Sequence, residues 1–192
     1  MAEDTRNEIL ESAVQLFSKN NYHAVSMSEI AEGAGVSKGT LYWHFDSKKE
    51  LFHEIALKGM NYFSKEFEKI SNQDKNFEEK IKGIVHFVLK TFAEHITILD
   101  VFRNNIELLN QDFKNEIEKK HRENVKIVAE IIDEGIEEGL IKDENSEDIS
   151  MMMLSILFTP QTKDLLHSNE NVEKKIDFIY DFIMNGISRK EN

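Results

Sequence analysis

Two groupings of residues in this 192-residue chain have types and spacing that suit chemistry. One is a repeated E-x-x-H pair: Glu50 with His53, and Glu118 with His121. On a helix this spacing puts the carboxylate and the imidazole on one face. Helical di-iron carboxylate enzymes use two such pairs with a glutamate from each of two further helices. The other is the stretch "GVSKGTLYWHF", residues 35 to 45. It offers Lys38, Thr40, Tyr42, Trp43 and His44, which are hydrogen-bond donors and flat rings, and little that anchors a core. Such a surface suits phosphates and base edges in the major groove.

The first grouping is the weaker. Glu118 and His121 lie in "EIEKKHREN", which reads as a solvated face, whereas a metal pair needs a buried one. Glu50 follows Ser47 by three residues and is explained by helix capping. With 36 acidic residues in the chain, chance pairs are expected. There is no cysteine, which removes disulfides, zinc–thiolate sites and thiol nucleophiles together. No phosphate loop, nucleophile elbow or H-E-x-x-H is present. The expectation is a protein without cofactor or metal that is not an enzyme, with the di-iron enzyme as the alternative.

The elements that must position the second grouping are helices. Ile9, Ala13, Leu16 and Phe17 share a face at helical spacing over Thr5 to Lys19. Ser26 and Glu29 form a capping box that opens a short helix to Ala34. Gly35 ends it in a left-handed conformation with Val36 folding back. Ser37 caps a helix of about two turns that ends near Phe45. Ser47 and Glu50 open a long helix to about Ile70. Further helices are expected at Phe77–Glu94, Thr97–Asn110, Gln111–Glu138 (stopped by Gly139), 147–168 and 171–188. With one proline, eight glycines and no alternating strand pattern, the fold class is all-α with about nine helices.

Two short helices joined across Gly35-Val36-Ser37 have the form of a helix-turn-helix. Ala31 is small where the helices cross, and Val36 and Leu41 face the core. Gly39 costs about 1 kcal/mol of helix stability against alanine; in return the backbone can approach a groove closely.

Charge limits where DNA can bind. The chain carries a net −12, and residues 1 to 52 hold five basic against eight acidic side chains. Gly35 to Lys49, however, has three lysines against Asp46 alone. Any nucleic-acid contact must come from this patch. The start "MAEDTRNEILE" does not look like a signal peptide, and the longest near-apolar run, Ile149 to Phe158, is too short to span a bilayer. A cytoplasmic protein without a membrane partner is expected.

The run "SMSEIAEGAGVSKGTLYWHFDSKKELF", residues 26 to 52, resembles the signature of the TetR-like (tetracycline-repressor-like) transcriptional regulators. The resemblance is dense over Thr5 to about Phe52; beyond that it covers only length and helix count. It implies a helix-turn-helix DNA-binding domain over residues 1–47 and a helical ligand-binding and dimerisation domain over 48–192. It implies that Ser26 contacts a phosphate, that Lys38, Gly39 and Thr40 face the groove with Ser37 as their cap, that Tyr42 and His44 contact the DNA backbone, and that Lys48 holds a phosphate with the help of a helix dipole. Trp43 departs in detail: it either stacks on the DNA or packs on the first helix. The partners implied are a near-palindromic double-stranded operator, a second copy of the chain, and a small-molecule effector.

The remaining sequence bears on the last two. Ile176, Ile179, Tyr180, Ile183 and Ile187 make one apolar stripe of the final helix and are assigned to the dimer interface. Phe178 and Phe182 fall on nearly the opposite face. The preceding helix, "ISMMMLSILF", is apolar all round. Phe87, Phe92, Phe102, Asn105, Leu109 and Met152 are candidate pocket residues. With no basic cluster in an apolar setting, the effector expected is hydrophobic. The segment "ELLNQDFKNEI…IIDEGIEEGLI" resembles regulators of this family tied to fatty-acid metabolism or efflux, which implies a fatty acid, an acyl-CoA or a hydrophobic drug. Its binding is expected to release the DNA, making the protein a repressor.

Overall fold

The computed structural model describes residues 2–105, 107, 110–159, 166 and 171–187. Its helices are α1 (Ala2–Lys19), α2 (Met27–Gly33), α3 (Lys38–His44), α4 (Lys48–Ser71), α5 (Phe77–Asn104), α6 (Gln111–Glu137), α7 (Ser146–Leu157) and α8 (Val172–Ile187), with a 3-10 turn at Tyr22–Ala24. The chain divides into two compact units: Met1–Met60 with Thr97–Ile117, and Asn61–Ile96 with Glu118–Asn192.

Local signals set the helix ends. The Ser26 hydroxyl accepts the Glu29 N–H at 3.2 Å while the Glu29 carboxylate accepts the Ser26 N–H at 2.7 Å. Both arms of that capping box are therefore made. At Ser47 the box is displaced: Ser47 Oγ accepts from Glu50 N–H, but the Glu50 carboxylate reaches back to the Asp46 N–H at 2.6 Å. Gly35 and Gly139 have φ of +68° and +73°, the left-handed region open to glycine. Each lets the following N–H turn back on the helix, Val36 to Ala31 O at 3.0 Å and Leu140 to Gly135 O at 2.9 Å. The two helices expected at 77–94 and 97–110 form one run to Asn104, broken at His95, where φ −120° and ψ 21° leave the helical region. The helix expected over 147–168 runs from Ser146 to Leu157; Pro160, a residue type that ends or kinks a helix, lies outside the described residues.

In the first unit, Ile9, Ala13 and Phe17 are buried as their spacing predicts. Phe17, Tyr22 and Phe52 pack as rings 4.9–6.1 Å apart. Leu41, Ala31 and Ile30 are buried and Val36 is partly so, which fixes α2 and α3 on α1 and α4. Ser12 Oγ donates to Ile30 O at 2.9 Å. A Cβ on Gly33 would stand 2.5 Å from that hydroxyl oxygen, so a hydrogen at this position is what lets α2 lie against α1.

The second unit is held mostly by long apolar faces. Phe63 lies 5.1–6.2 Å, ring to ring, from Phe67, Phe87, Phe92 and Phe158. Two polar pairs interrupt the apolar packing. Lys80 is held by both carboxylate oxygens of Glu134 at 2.8 Å. Ser64 Oγ donates to Asn124 Oδ1 at 2.6 Å. Lys80, Ser64 and Asn124 thus each keep a partner, as burial requires.

Candidate nucleic-acid interface

α3 is seven residues long, and nothing in that length makes it stable by itself. Its ends supply the missing stability. Ser37 Oγ accepts the Thr40 N–H at 3.0 Å and is hydrogen-bonded to Thr40 Oγ1 at 2.8 Å. The Phe45 N–H returns to Leu41 O at 3.0 Å. Leu41 and Phe45 are fully buried and act as the two anchors. The rest of the helix faces water: Lys38, Gly39, Tyr42 and Trp43 are exposed, and Thr40 and His44 are half-buried.

Trp43 resolves the open choice about its packing. It is 74% exposed, with its ring edge-on to His44 at 4.6 Å. It does not pack on α1. A large apolar ring left in water beside a lysine and a tyrosine is costly unless something covers it. Gly39 has only the Ser37 hydroxyl within 4 Å of where a Cβ would stand. The glycine therefore answers no crowding within the chain.

Ser26 and Lys48, the two residues expected at phosphates, have partners within the chain. The Ser26 hydroxyl donates to the Glu29 carboxylate at 2.6 Å, so its one proton is engaged within the chain. These hydrogen bonds hold the Glu29 carboxyl below its ordinary pKa. The Lys48 ammonium, rather than facing outward, donates to Tyr22 O at 2.8 Å and Val25 O at 2.7 Å. It lies over the Tyr22 ring at 4.5 Å. Burial lowers its pKa, with Glu29 opposing. Sequence reasoning also missed Arg6, which donates to His44 O at the end of α3 at 3.1 Å and pairs with Glu54. No local motif announces such a contact, because Arg6 and His44 meet only through the fold.

The metal reading fails on geometry. Glu50 is engaged by the Asp46 N–H at 2.6 Å. Glu118 and His121 are exposed on α6, with Arg122 3.9 Å from Glu118. Among the described residues no three His, Asp or Glu side chains are grouped to hold an ion.

Residues 9–55 match the bacterial regulatory proteins of the tetR family, and residues 74–160 match the tetracyclin repressor-like C-terminal domain. The chain belongs to the tetR family. It is a ligand-responsive transcriptional regulator and not an enzyme. Regulators of this family bind DNA operators, usually as dimers, and take small-molecule ligands. The fatty acid metabolism regulator protein of Bacillus subtilis is 30% identical over 141 residues, 71% of this chain and 70% of that protein. The transcriptional repressor KstR2 of Mycobacterium tuberculosis is 26% identical over 145 residues, 75% of this chain and 72% of that one. Among solved structures, the fatty acid degradation regulator FadR of Bacillus halodurans aligns with a TM-score of 0.76 at 20% identity, covering 93% of this chain and 94% of that one; this likeness bears on the fold alone.

For a tetR-family chain the expected pocket and interface residues are distributed unevenly. Phe87 and Phe92 join the aromatic cluster of the second unit. Phe102 belongs to the first unit and stacks on Phe52 at 4.4 Å. Asn105, also in the first unit, is buried with its amide on Val101 O. Leu109 lies outside the described residues. Met152 is 67% exposed. Phe87, Phe92 and Met152 thus belong to one unit and Phe102 and Asn105 to the other. The interface assignment is corrected too. Ile176, Ile179 and Ile183 are buried in the chain's own core, because the stripe they form is the one α8 turns inward. Tyr180 and Ile187 are half-buried. Phe178 and Phe182, on the other stripe, are 58% and 62% exposed. Nor is α7 buried on all sides, since Met151 and Met152 reach water. Met152, Phe178 and Phe182 line an open groove of about 830 Å³ between α7 and α8. Among the described residues no helix is long and apolar enough to cross a membrane.

Proposed function

We propose that this regulator is a cytoplasmic repressor that binds a near-palindromic operator as a homodimer and releases it when a hydrophobic ligand binds. Residues 1–47 form the DNA-binding part and 48–192 the ligand-binding and dimerisation part. Lys38, Gly39, Thr40, Tyr42, Trp43 and His44 meet the DNA, with Ser37 holding the start of α3. The observation that carries this reading is the outer face of α3: capped and anchored from beneath, it leaves a lysine, a tyrosine and a tryptophan uncovered.

The second copy covers the groove of Met152, Phe178 and Phe182. Its lining carries Glu144, Asp148 and Asp181 against Lys142 alone; the net negative charge opposes nucleic acid there and leaves a protein surface as the suitable partner. Two-fold symmetry then sets two α3 helices on half-sites one or more helical turns apart, about 34–36 Å for one turn.

The effector class, a fatty acid or its acyl-CoA, is supported by the apolar, aromatic core of the second unit and by the printed role of the Bacillus subtilis relative. α4 passes from one unit into the other between Met60 and Asn61. A ligand favouring one setting of this helix lowers DNA affinity by no more than its preference for that setting. A coupling of about 1–3 kcal/mol gives 5- to 150-fold weaker binding, and the operator must weaken the ligand equally.

The test begins with duplexes selected by the full-length protein from a random library. Mobility shifts then follow with oleate, palmitoyl-CoA or neither. A palindromic consensus and release by one of the two lipids are expected. A non-repeated consensus removes the dimer reading. A ligand bound equally with and without the selected duplex removes induction and leaves DNA binding intact.

A further inference from the structure

The core of the second unit is apolar but for a few side chains, and their charges limit what it can take up. Among the described residues Lys80 is the only buried basic side chain. Both oxygens of Glu134 hold it at 2.8 Å, so its charge is already balanced. The other buried polar side chains of this unit among the described residues are Ser64, Asn124 and Ser150, all neutral. Asn124 has donors to spare. Its Oδ1 accepts from Ser64 Oγ at 2.6 Å. Its Nδ2 carries two protons, and among the described residues no hydrogen bond takes either.

This polar pair borders the ring cluster. Residues three and four apart are neighbours on a helix surface; on α4, Phe67 follows Ser64 by three and Phe63 by four. The Phe63 ring lies 5.4 Å from Phe87, and Phe87 lies 5.4 Å from Tyr62. Phe63 and Phe67 are buried, Phe87 is half-buried and Tyr62 is 50% exposed. The rings thus lead from water inward to the level of Ser64, where Asn124 of α6 stands against it. An apolar path that ends at a neutral donor suits a molecule with an apolar body and one hydrogen-bond acceptor. An amide N–H can donate to a carbonyl or to a carboxylate, and desolvation separates the two. A carbonyl brings in only a dipole. A carboxylate buried without a counter-ion costs far more, and takes up a proton instead.

We propose that Asn124 is the polar anchor of the effector site and that this site takes an uncharged acyl group, whose carbonyl accepts from Asn124 Nδ2. The proposal rests on the reading that the effector is a hydrophobic ligand of the second unit. Ser64 holds the Asn124 carbonyl and so sets the direction of the amide protons. The apolar body of the ligand lies along Phe63, Phe67 and Phe87, with Tyr62 at the mouth. An ester or a thioester qualifies at any pH. A fatty acid qualifies only in its protonated form, so its apparent affinity must follow the fraction protonated.

The experiment titrates the full-length protein, without DNA, with decanoate, methyl decanoate and decane. Calorimetry is run between about pH 6 and 8, above the ordinary carboxyl pKa. Affinity for methyl decanoate is expected to be flat with pH. Decanoate is expected to bind more weakly, and about tenfold more weakly for each unit of rising pH, as its protonated fraction falls. Asn124→Leu should weaken the ester about tenfold, the size of losing one hydrogen bond and leaving a carbonyl unpaired, and leave decane unchanged. Ser64→Ala should give a smaller loss, also confined to the ester; it carries the test with the parent's pH slope if Asn124→Leu does not fold. Decanoate bound as tightly as the ester, with no pH slope, overturns the proposal. Equal losses of ester and decane in Asn124→Leu also overturn it, by leaving Asn124 a packing residue. Ser150→Ala is run alongside, because its hydroxyl is buried without a hydrogen-bond partner among the described residues. A loss confined to the ester there, and absent in Asn124→Leu, overturns the assignment to Asn124. If acid and ester bind equally and both release the selected duplex, the effector reading stands and only this proposal fails. If none of the three compounds binds, the effector reading fails and this proposal with it.

Discussion

Each unit leaves aromatic side chains in water, but their settings differ. On α3, Tyr42 and Trp43 stand beside Lys38, on a helix too short to support itself and fastened by Ser37, Leu41 and Phe45. On α8, Phe178 and Phe182 stand beside Asp181 on a helix whose other stripe is buried core. The fractional exposure is similar, 52% and 74% for Tyr42 and Trp43 against 58% and 62% for Phe178 and Phe182. The neighbouring charge and the rigidity beneath it are not. A polyanion can be taken up only where cations accompany the rings, whereas a net negative lining leaves an apolar protein face as the suitable occupant. Exposure marks a site; its charged neighbours say what the site accepts.

The largest effect expected from this contrast is on α8. Phe178→Asp with Phe182→Asp should raise the dimer dissociation constant by at least about a thousandfold, since two buried aromatic anchors contribute roughly 2 kcal/mol or more each. Equilibrium sedimentation reads it, and operator binding should fall with it. A variant that remains dimeric breaks the comparison. Ile183→Asp is the contrasting change: Ile183 is 4% exposed, so a carboxylate there should unfold the unit rather than separate intact copies.

A core change of intermediate size checks that the two units are held differently. A Cβ on Gly135 would lie 2.7–2.9 Å from the buried Phe77 ring. The helix gains about 1 kcal/mol from alanine, but overpacking costs about 1–3 kcal/mol. Gly135→Ala should therefore lower the denaturation midpoint. Gly59→Ala on α4, with nothing within 4 Å, should raise it by up to about 1 kcal/mol.

On α3, Lys38→Ala should lower the salt slope of DNA binding by about one and weaken all duplexes alike. Trp43→Ala should alter the selected sequence as well as the affinity, by about 1–3 kcal/mol if its ring reads a base. A uniform loss from Trp43→Ala would reduce its role to backbone contact.

The smallest expected effect is on pH. His53 stacks on Phe113 at 4.3 Å, and its Nε2 is buried without a hydrogen-bond partner. Burial, with Lys49 adding to it and Glu50 opposing, holds its pKa below the ordinary 6.5. The unfolded chain therefore takes up the proton first as pH falls. Stability should be full above the ordinary value, decline as pH drops through it, and level off below the depressed folded value. His53→Phe should flatten that part of the melting-temperature profile, and an unchanged profile would place the dependence on another group.

Much of the first unit was legible before folding, because its signals are short in range. The capping boxes, the glycine stops and the buried face of α1 each depend on residues within one or two turns. The same locality explains what was missed. The position of Lys48 at a helix start was visible, while its partners Tyr22 O and Val25 O, 23 to 26 residues earlier, were not. On α8 the sequence displayed two apolar stripes with nothing to say which one faced inward; both satisfy the helical period. Phe102 and Asn105 looked equivalent to Phe87 and Phe92 until the break at His95 and the division into units separated them.

The sequence by itself determined that this chain is helical, where its helix-turn-helix lies, and that α3 keeps its donors and rings out of the core. Those properties follow from backbone propensity, capping and hydrophobic period, which act over a few residues. Only the tertiary structure decided which stripe of α8 is buried, which way Trp43 and Lys48 point, and that Arg6 holds the end of α3. These depend on which distant groups share a site, and the stabilising partners there are backbone carbonyls, which every residue carries and no sequence pattern distinguishes.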